Sequence, residues 1–396
     1  RYHDNTGWTI TLWHPAVQAA NRVTVQQFTR EFPVDILFQD QCGARGWHYD
    51  TNPASPLPYA YSEGMIAMND EDSRVVPLGT ENGWDRVANY QTLLSGLSWG
   101  LVPTEHGPTW VRLFKTAYPA DTWEIFPLAL ALMHDKAIFL HHDLGQFVTN
   151  DQVLTWTLGL GYSLSYRVTT EMLKQDEHAQ WLAWLSRLQR SVCARYLGEP
   201  LRAFTHDRAP LLAAGGDPRR ASDDGTLDAT YGDVRLRCNL GDVPRAVAGM
   251  ALPAYGFRAD APGLTAGFAP DGTGYVTQRD GDRSELWLFG HPGAAVAVPV
   301  PFDDTTGFTL DGAPETRLNA AAGLLRLTLP PRGSITRIQP PAERAALAPR
   351  DWPGAKPVIA VIDLGPGIAP ALTAVTPAAW RTAFEASDLV HRHGLT

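Results

Sequence analysis

Three acidic side chains follow short apolar segments that have the composition of buried strands. Asp40, Glu81 and Asp143 each stand two residues beyond the end of such a segment. In β/α barrels the catalytic groups lie at the carboxyl ends of the strands, where the βα loops meet. Glycoside hydrolysis needs two carboxylates, one to attack or stabilise the anomeric carbon and one to protonate the leaving oxygen. The pattern therefore predicts a glycosidase rim with Asp40 and Glu81 as the catalytic pair.

Each of these acids also has a structural alternative. Asp40 can cap a loop, and Glu81 can cap the helix that we predict to begin near Trp84. Asp85 is better explained as a first-turn helix residue that the helix dipole favours. Asp143 can anchor a sugar hydroxyl or cap the helix that comes after it.

A long aromatic and polar loop, 45–62, separates the two catalytic candidates. Sugar sites combine aromatic platforms with hydrogen-bonding side chains, and long loops without a hydrophobic period are often functional. We predict that Tyr59 and Tyr61 pack the loop onto the rim. The predicted substrate-binding residues are Trp47, His48, Asp50, Asn52, His142 and Asp143.

Other chemistries find little support. The triplet 141–143 (HHD) lacks further ligands at metal-site spacing, and only one of two adjacent strand histidines can face a site. Residues 365–367 (GPG) lack the remainder of a phosphate loop, and no GxSxG elbow occurs. We predict neither a metal nor a cofactor.

The two halves of the chain differ in pattern. Up to about residue 200, apolar strands at 8–13, 34–38, 75–79 and 137–141 alternate with helical segments, as in a parallel sheet covered by helices. We predict helices at 21–31, 84–97, 123–133, 150–166 and 170–195. Beyond residue 202, short strands separated by Gly/Asp turns are typical of an antiparallel sandwich.

The predicted fold class is therefore α/β plus all-β: a (β/α)8-type (TIM) barrel that lacks its first strands, followed by an antiparallel β-sandwich. We predict that residues 1–200 form the C-terminal portion of the barrel and 201–342 the sandwich. Residues 343–396 are predicted to form a linker and a small appended α/β segment. The chain begins at Arg1 inside a folded pattern, so we expect a fragment or a mature form.

Composition narrows the range of partners. The formal net charge is −9 and lysine occurs only four times, so no basic patch for nucleic acid is expected. No apolar run approaches the roughly 20 residues of a membrane span. Cys42, Cys193 and Cys238 show no CxxC spacing and fit either one disulfide or buried thiols. We expect a carbohydrate substrate and a secreted or periplasmic location.

The runs 34–43 (VDILFQDQCG), 48–53 (HYDTNP) and 76–85 (VPLGTENGWD) resemble bacterial glycoside-hydrolase-like barrels of poorly characterised function. These are distantly similar to endo-α-N-acetylgalactosaminidases and, further off, to α-amylase-type enzymes. Residues 137–147 (AIFLHHDLGQF) are similar to the last strand of such a barrel. The resemblance implies that Asp40, after the fourth strand, is the nucleophile and that Glu81, after the fifth, is the acid/base.

The sequence thus favours a glycoside hydrolase, of the retaining type, acting on an oligosaccharide, a polysaccharide or a glycoconjugate. The alternative is a non-catalytic carbohydrate-binding protein on a degenerate barrel. Such a protein would keep the aromatic loop without needing both carboxylates on one rim.

Overall fold

The computed structural model describes residues 10–44, 49–50, 52–97, 125–141, 148–166, 168–169, 176–208, 225–280, 283–289, 295–299, 309–310, 313–314, 319–321, 324–328 and 335–339. Four of the predicted substrate contacts, Trp47, His48, His142 and Asp143, lie outside these residues, as does the whole of 343–396. The described residues fall into two compact units. The first takes those up to Leu97 and 136–141, and the second takes 125–135 and everything from Val148 onward.

The first unit contains two helices and a parallel sheet. Its elements are α1 (Pro15–Glu31), β1 (Leu37–Gln39), α2 (Ala60–Ser73), β2 (Leu78–Glu81), β3 (Gln91–Ser95) and β4 (Ile138–Leu140). All three strand pairings are parallel, in the order β1-β2-β3-β4. The predicted parallel sheet is confirmed. Within the described residues, however, the sheet is open, with β1 and β4 at its edges, and does not close into a barrel.

Local sequence explains how α1 begins. Pro15 stands in its first turn, where a missing N–H costs nothing, and the His14 ring accepts a hydrogen bond from the Ala16 N–H. Val25 on this helix packs with Val76 and Leu78 in a small apolar cluster. Burial of that cluster fixes α1 against the sheet.

Two predictions about the first unit are wrong. Residues 84–97 are not a helix, because a turn at 85–90 leads into strand β3. The residues of β3 (QTLLS) are buried between β2 and β4. The prediction failed because a short apolar run does not by itself distinguish a buried strand from a helix. Helix α2 was not predicted, and the described part of 8–13, residues 10–13, forms no strand.

The second unit joins a helical part to antiparallel sheets. Its helices are α3 (Leu128–Met133), α4 (Asp151–Gly159), α5 (Asp176–Leu188), a π-helical turn (Gln189–Cys193) and α6 (Ala194–Tyr196). The strands are β5 (Leu201–Asp207), β6 (Thr226–Tyr231), β7 (Val234–Asn239), β8 (Arg245–Val247), β9 (Met250–Leu252), β10 (Phe257–Ala261), β11 (Leu264–Phe268), β12 (Gly274–Asp280), β13 (Arg283–Phe289), β14 (Ala295–Pro299), β15 (Thr309–Leu310), β16 (Ala313–Pro314), β17 (Asn319–Ala321), β18 (Leu324–Thr328) and β19 (Ile335–Gln339).

These strands confirm the predicted antiparallel region. They form a ten-stranded sheet in the order β16-β15-β19-β13-β12-β11-β10-β7-β6-β5, a three-stranded sheet β14-β18-β17 and the hairpin β8-β9. Trp184 of α5 packs against the ten-stranded sheet, stacking on Phe289 with ring centroids 5.5 Å apart. A Cβ at Gly274 would lie 2.7 Å from the Trp184 ring, so only glycine allows this close approach.

No described helix is long and apolar enough to cross a membrane. All three cysteines are free thiols, and Cys193 and Cys238 are buried.

Candidate active site

In the first unit Asp40 directly follows strand β1, and Glu81 is the last residue of the neighbouring strand β2. Gln39 on β1 pairs with Thr80 on β2. One residue beyond that pair stand Asp40 on one chain segment and Glu81 on the other. Residues level with each other on adjacent strands are about 4.8 Å apart. Asp40 is exposed and Glu81 is half-buried, so the two carboxylates differ in their access to water.

The Thr80 hydroxyl fastens the turn that carries Asp40. It donates a hydrogen bond of 2.9 Å to the backbone carbonyl of Gln39 and accepts one of 2.8 Å from the N–H of Gly43. Thr80 is fully buried. Since the two bonds bracket Asp40, the backbone of this turn is tied directly to the strand that carries Glu81.

The turn at Asp40 also requires a glycine. A Cβ at Gly43 would lie 2.5 Å from the methyl carbon of Thr80 and 2.9 Å from the carbonyl oxygen of Glu81. Such contacts are closer than van der Waals packing allows. The turn after β1 therefore packs on β2 more closely than any side chain would permit.

Left-handed backbone occurs just beyond both strand ends. Gln41 has a φ of 61° and Asn82 a φ of 56°. For a residue other than glycine this conformation costs about 1–2 kcal/mol, less for asparagine. Strained positions of this kind concentrate at functional sites, where the surrounding structure holds them. The Asn82 N–H is held by a hydrogen bond to the carbonyl of Ser95 on β3.

A buried polar network connects β1 to both helices. The Asp72 carboxylate, 1% exposed, accepts two hydrogen bonds of 2.9 Å from the side-chain amide of Asn21 and one of 2.7 Å from that of Gln39. Burial raises the pKa of Asp72, and the two amide donors oppose that shift. This carboxylate orients Gln39, the residue that precedes Asp40.

Cys42 lies on the same turn. Burial is the main cause that raises the pKa of its thiol to about 11; a hydrogen bond with Asn69 opposes the shift, and the carboxylates of Asp72 and Asp40 add to it. The thiol is therefore protonated at neutral pH, and a thiolate nucleophile is disfavoured at this position.

Asp50 and Asn52 organise the loop that leads to α2. One Asp50 carboxylate oxygen accepts a hydrogen bond from the Trp13 indole N–H, and the other accepts one of 2.9 Å from the Asn52 N–H. The Asn52 side chain accepts one of 2.9 Å from the Ala54 N–H. Both predicted substrate contacts thus shape the loop through Asx turns.

Tyr59 does not pack inward as predicted. It is 41% exposed, and its ring lies 5.2 Å from that of Tyr49, which is 71% exposed. The pattern of polar and apolar residues does not reveal this pair, because it cannot show which aromatic side chains of an irregular loop face solvent. Thr80 was not predicted as a positioning residue, although its place in a buried strand next to Glu81 was a usable signal.

His141 at the end of β4 is buried, and burial lowers its pKa to about 3. It is a neutral histidine at physiological pH. Asp85 is exposed in a turn, where its carboxylate accepts a hydrogen bond of 2.9 Å from the Arg86 N–H. Among the residues that the structure describes, no cluster of three or more His, Cys, Asp or Glu side chains could hold a metal ion.

Comparison with known proteins identifies no family. No family model matches the sequence, and no curated protein matches it. One similar solved structure is an isomaltodextranase of Arthrobacter globiformis T6 complexed with panose, with a TM-score of 0.34 and 11% identity over 83% of this chain and 70% of that one. Another is AmyP in complex with maltose, with a TM-score of 0.27 and 9% identity over 82% of this chain and 68% of that one. Both TM-scores are too low for an inference about the activity of this chain.

Proposed function

We propose that this protein is a glycoside hydrolase that cleaves O-glycosidic bonds in an oligosaccharide, a polysaccharide or a glycoconjugate. One observation carries the proposal: Asp40 directly follows β1 and Glu81 ends the neighbouring parallel strand β2, each one residue beyond the Gln39–Thr80 pair. Two carboxylates in this position match the requirement for attack on an anomeric carbon with protonation of the leaving oxygen.

The proposed mechanism is of the retaining type. Asp40 attacks the anomeric carbon and forms a glycosyl ester while Glu81 gives its proton to the departing glycosidic oxygen. Glu81 then takes a proton from water, which hydrolyses the ester and returns both groups to their starting state. A retaining mechanism needs carboxyl groups about 5–5.5 Å apart, whereas a separation of about 6.5–9.5 Å gives inversion.

The two carboxylates differ in exposure: Asp40 is exposed, and Glu81 is half-buried at the end of β2. The Thr80 hydroxyl couples the two segments, and catalysis by positioned groups depends on such fixed geometry.

A carbohydrate-binding protein without catalysis is the second candidate. The exposure of Asp40 favours it, because catalytic carboxylates act most effectively where water is excluded. Such a protein would bind saccharides whether or not Asp40 and Glu81 are present.

The test is hydrolysis of 4-nitrophenyl α- and β-glycosides and of the corresponding oligosaccharides by Asp40→Asn and Glu81→Gln variants. We expect Asp40→Asn to lose several orders of magnitude in turnover on every substrate. Glu81→Gln should lose turnover mainly on oligosaccharides, because a nitrophenolate leaves without protonation, and azide should restore its second step. Asp85→Asn is the matched control, since it removes an exposed acid outside the pair, and it should keep wild-type rates.

Near-wild-type turnover in both variants of the pair would show that these carboxylates are structural. A wild-type protein that binds saccharides but hydrolyses none of them would establish the second candidate.

A further inference from the structure

Tyr49 and Tyr59 expose two aromatic rings side by side. Their ring centroids are 5.2 Å apart at an interplanar angle of 34°, and their hydroxyl oxygens are 3.3 Å apart. Tyr49 is 71% exposed and Tyr59 41% exposed. Two adjacent rings that are this exposed form an apolar surface with polar groups at one end.

The segment that carries the rings is fastened internally. The Asp50 N–H donates a hydrogen bond of 2.9 Å to the Pro58 carbonyl, so the residues just outside that link, Tyr49 and Tyr59, are brought together. The Trp13 indole anchors Asp50, and the Tyr59 carbonyl accepts a hydrogen bond from Glu63 in the first turn of α2. The rings are therefore ordered before any ligand arrives, which lowers the entropy that binding costs.

Chain topology assigns Tyr59 to the sheet edge that carries the candidate carboxylates. Asp40 follows the carboxyl end of β1, and α2 begins directly after Tyr59 and leads back to the amino end of β2, so the start of α2 belongs to the edge of Asp40. A second exposed aromatic pair, Phe28 and Phe32, with centroids 5.2 Å apart, lies at the end of α1. Because α1 leads into the amino end of β1, that pair belongs to the opposite edge.

We propose that the Tyr49–Tyr59 pair is a saccharide-binding subsite that holds one sugar ring of a chain whose neighbouring ring reaches Asp40 and Glu81. This deepens the proposed function and rests on it. The CH face of a pyranose ring would lie against the tyrosine rings, and its hydroxyls would exchange hydrogen bonds with the tyrosine hydroxyls.

Charge favours a neutral saccharide over an acidic one. The charged side chains among the described residues of 49–63 are Asp50 and Glu63. Glu63 pairs with Arg86 at 3.9 Å, which leaves Asp50 as the acidic group next to Tyr49. Its charge disfavours uronic acids and sulfated sugars beside the rings, whereas neutral hexose chains are not repelled.

The experiment is affinity electrophoresis of the whole chain in gels that contain dextran, amylopectin or galactomannan, each a neutral polysaccharide. We expect the wild-type protein to be retarded by at least one of them. Tyr49→Ala and Tyr59→Ala should each raise the dissociation constant about three- to tenfold, whereas Tyr49→Phe and Tyr59→Phe should keep most of the affinity. The control variants Phe28→Ala and Phe32→Ala remove an equally spaced pair at the other edge and should bind as the wild type does.

Hydrolysis of 4-nitrophenyl glycosides separates this inference from the proposed function. The Tyr→Ala variants should lose more activity on polysaccharide than on these short substrates, which do not reach the pair, whereas Phe28→Ala and Phe32→Ala should keep wild-type rates on both. Asp40→Asn should bind polysaccharide normally but not cleave it. If retention is lost in the tyrosine variants while no glycoside is cleaved by the wild type, the subsite stands and the proposed hydrolase fails.

Three results would overturn the subsite. The first is that no gel retards the wild-type protein, and the second is that the wild type and the Tyr→Ala variants are retarded equally. The third is a concentration-dependent dimer, seen in sedimentation, that Tyr49→Ala abolishes. The last would show that the rings bind a second copy of the chain.

Discussion

The Thr80 hydroxyl donates a hydrogen bond of 2.9 Å to the backbone carbonyl of Gln39 on the neighbouring strand. Thr80 precedes Glu81, and Gln39 precedes Asp40, so this one contact joins the segments of both candidate catalytic residues. The distance between the two carboxylates therefore depends on a residue that itself carries no charge.

Replacement of Thr80 by valine should loosen this connection. Valine keeps the shape but leaves the Gly43 N–H without its side-chain acceptor in a buried site. We expect the free energy of unfolding to fall by about 1–3 kcal/mol, measured by urea titration. Thr80→Ser keeps the hydroxyl and is the control. Equal stability of the valine and serine variants would show that the hydroxyl does not hold the turn.

The turn after β1 should not accept a side chain. Gly43→Ala places a methyl group 2.5 Å from the Thr80 side chain and 2.9 Å from the Glu81 carbonyl. We expect a loss of about 1–3 kcal/mol from overpacking, together with reduced turnover on any glycoside that the wild type cleaves. A Gly43→Ala variant as stable as the wild type would exclude this close approach.

The Asp72 network should tolerate an amide better than an apolar side chain. Asp72→Leu leaves the amide groups of Asn21 and Gln39 without their acceptor, which we expect to cost about 2–4 kcal/mol. Asp72→Asn removes a buried charge, and a flip of the Gln39 amide would let its oxygen accept from the new amide. The asparagine variant should therefore lie within about 1.5 kcal/mol of wild type in denaturant titration. A leucine variant that matches the asparagine variant would contradict the role of these hydrogen bonds.

Two buried histidines should make the fold sensitive to acid. Burial lowers the pKa of His141 to about 3 and lowers that of His134, whereas a histidine in the unfolded chain titrates near pH 6.5. The unfolded state thus binds more protons than the folded state below about pH 6.5, and stability is lost as pH falls from there toward 3.

For His141 alone, the loss between pH 7.5 and pH 5 is about 2 kcal/mol, because each pH unit well below 6.5 costs about 1.36 kcal/mol. The measurement is the free energy of unfolding from pH 7.5 to pH 5 in the wild type and in His141→Gln. Over this pH range the free energy of unfolding of the variant should fall by about 2 kcal/mol less than that of the wild type. Equal slopes would mean that His141 becomes protonated without unfolding.

Much of the secondary structure could be predicted from local sequence. The apolar segments 34–38, 75–79 and 137–141 contain or overlap β1, β2 and β4, and the Gly/Asp-separated segments after residue 202 are antiparallel strands. The predicted helix 21–31 lies within α1, which begins earlier, at Pro15. Strand β3 and helix α2 were not predictable in this way. Strand β3 forms because its residues are buried between β2 and β4. Helix α2 is supported by its contact with α1, where Asn21 donates a hydrogen bond to Asp72.

The positions of Asp40 and Glu81 after two apolar strands were a property of the sequence itself, since the order of residues alone sets which side chain stands at the end of a strand. Only the tertiary structure decided which strands are neighbours, in which register they pair and how closely their turns approach each other. The Thr80 bonds to Gln39 and Gly43, and the exposed Tyr49–Tyr59 pair, join residues at least 10 positions apart. Such contacts depend on packing and hydrogen bonding across the folded chain, and local propensity carries no information about them.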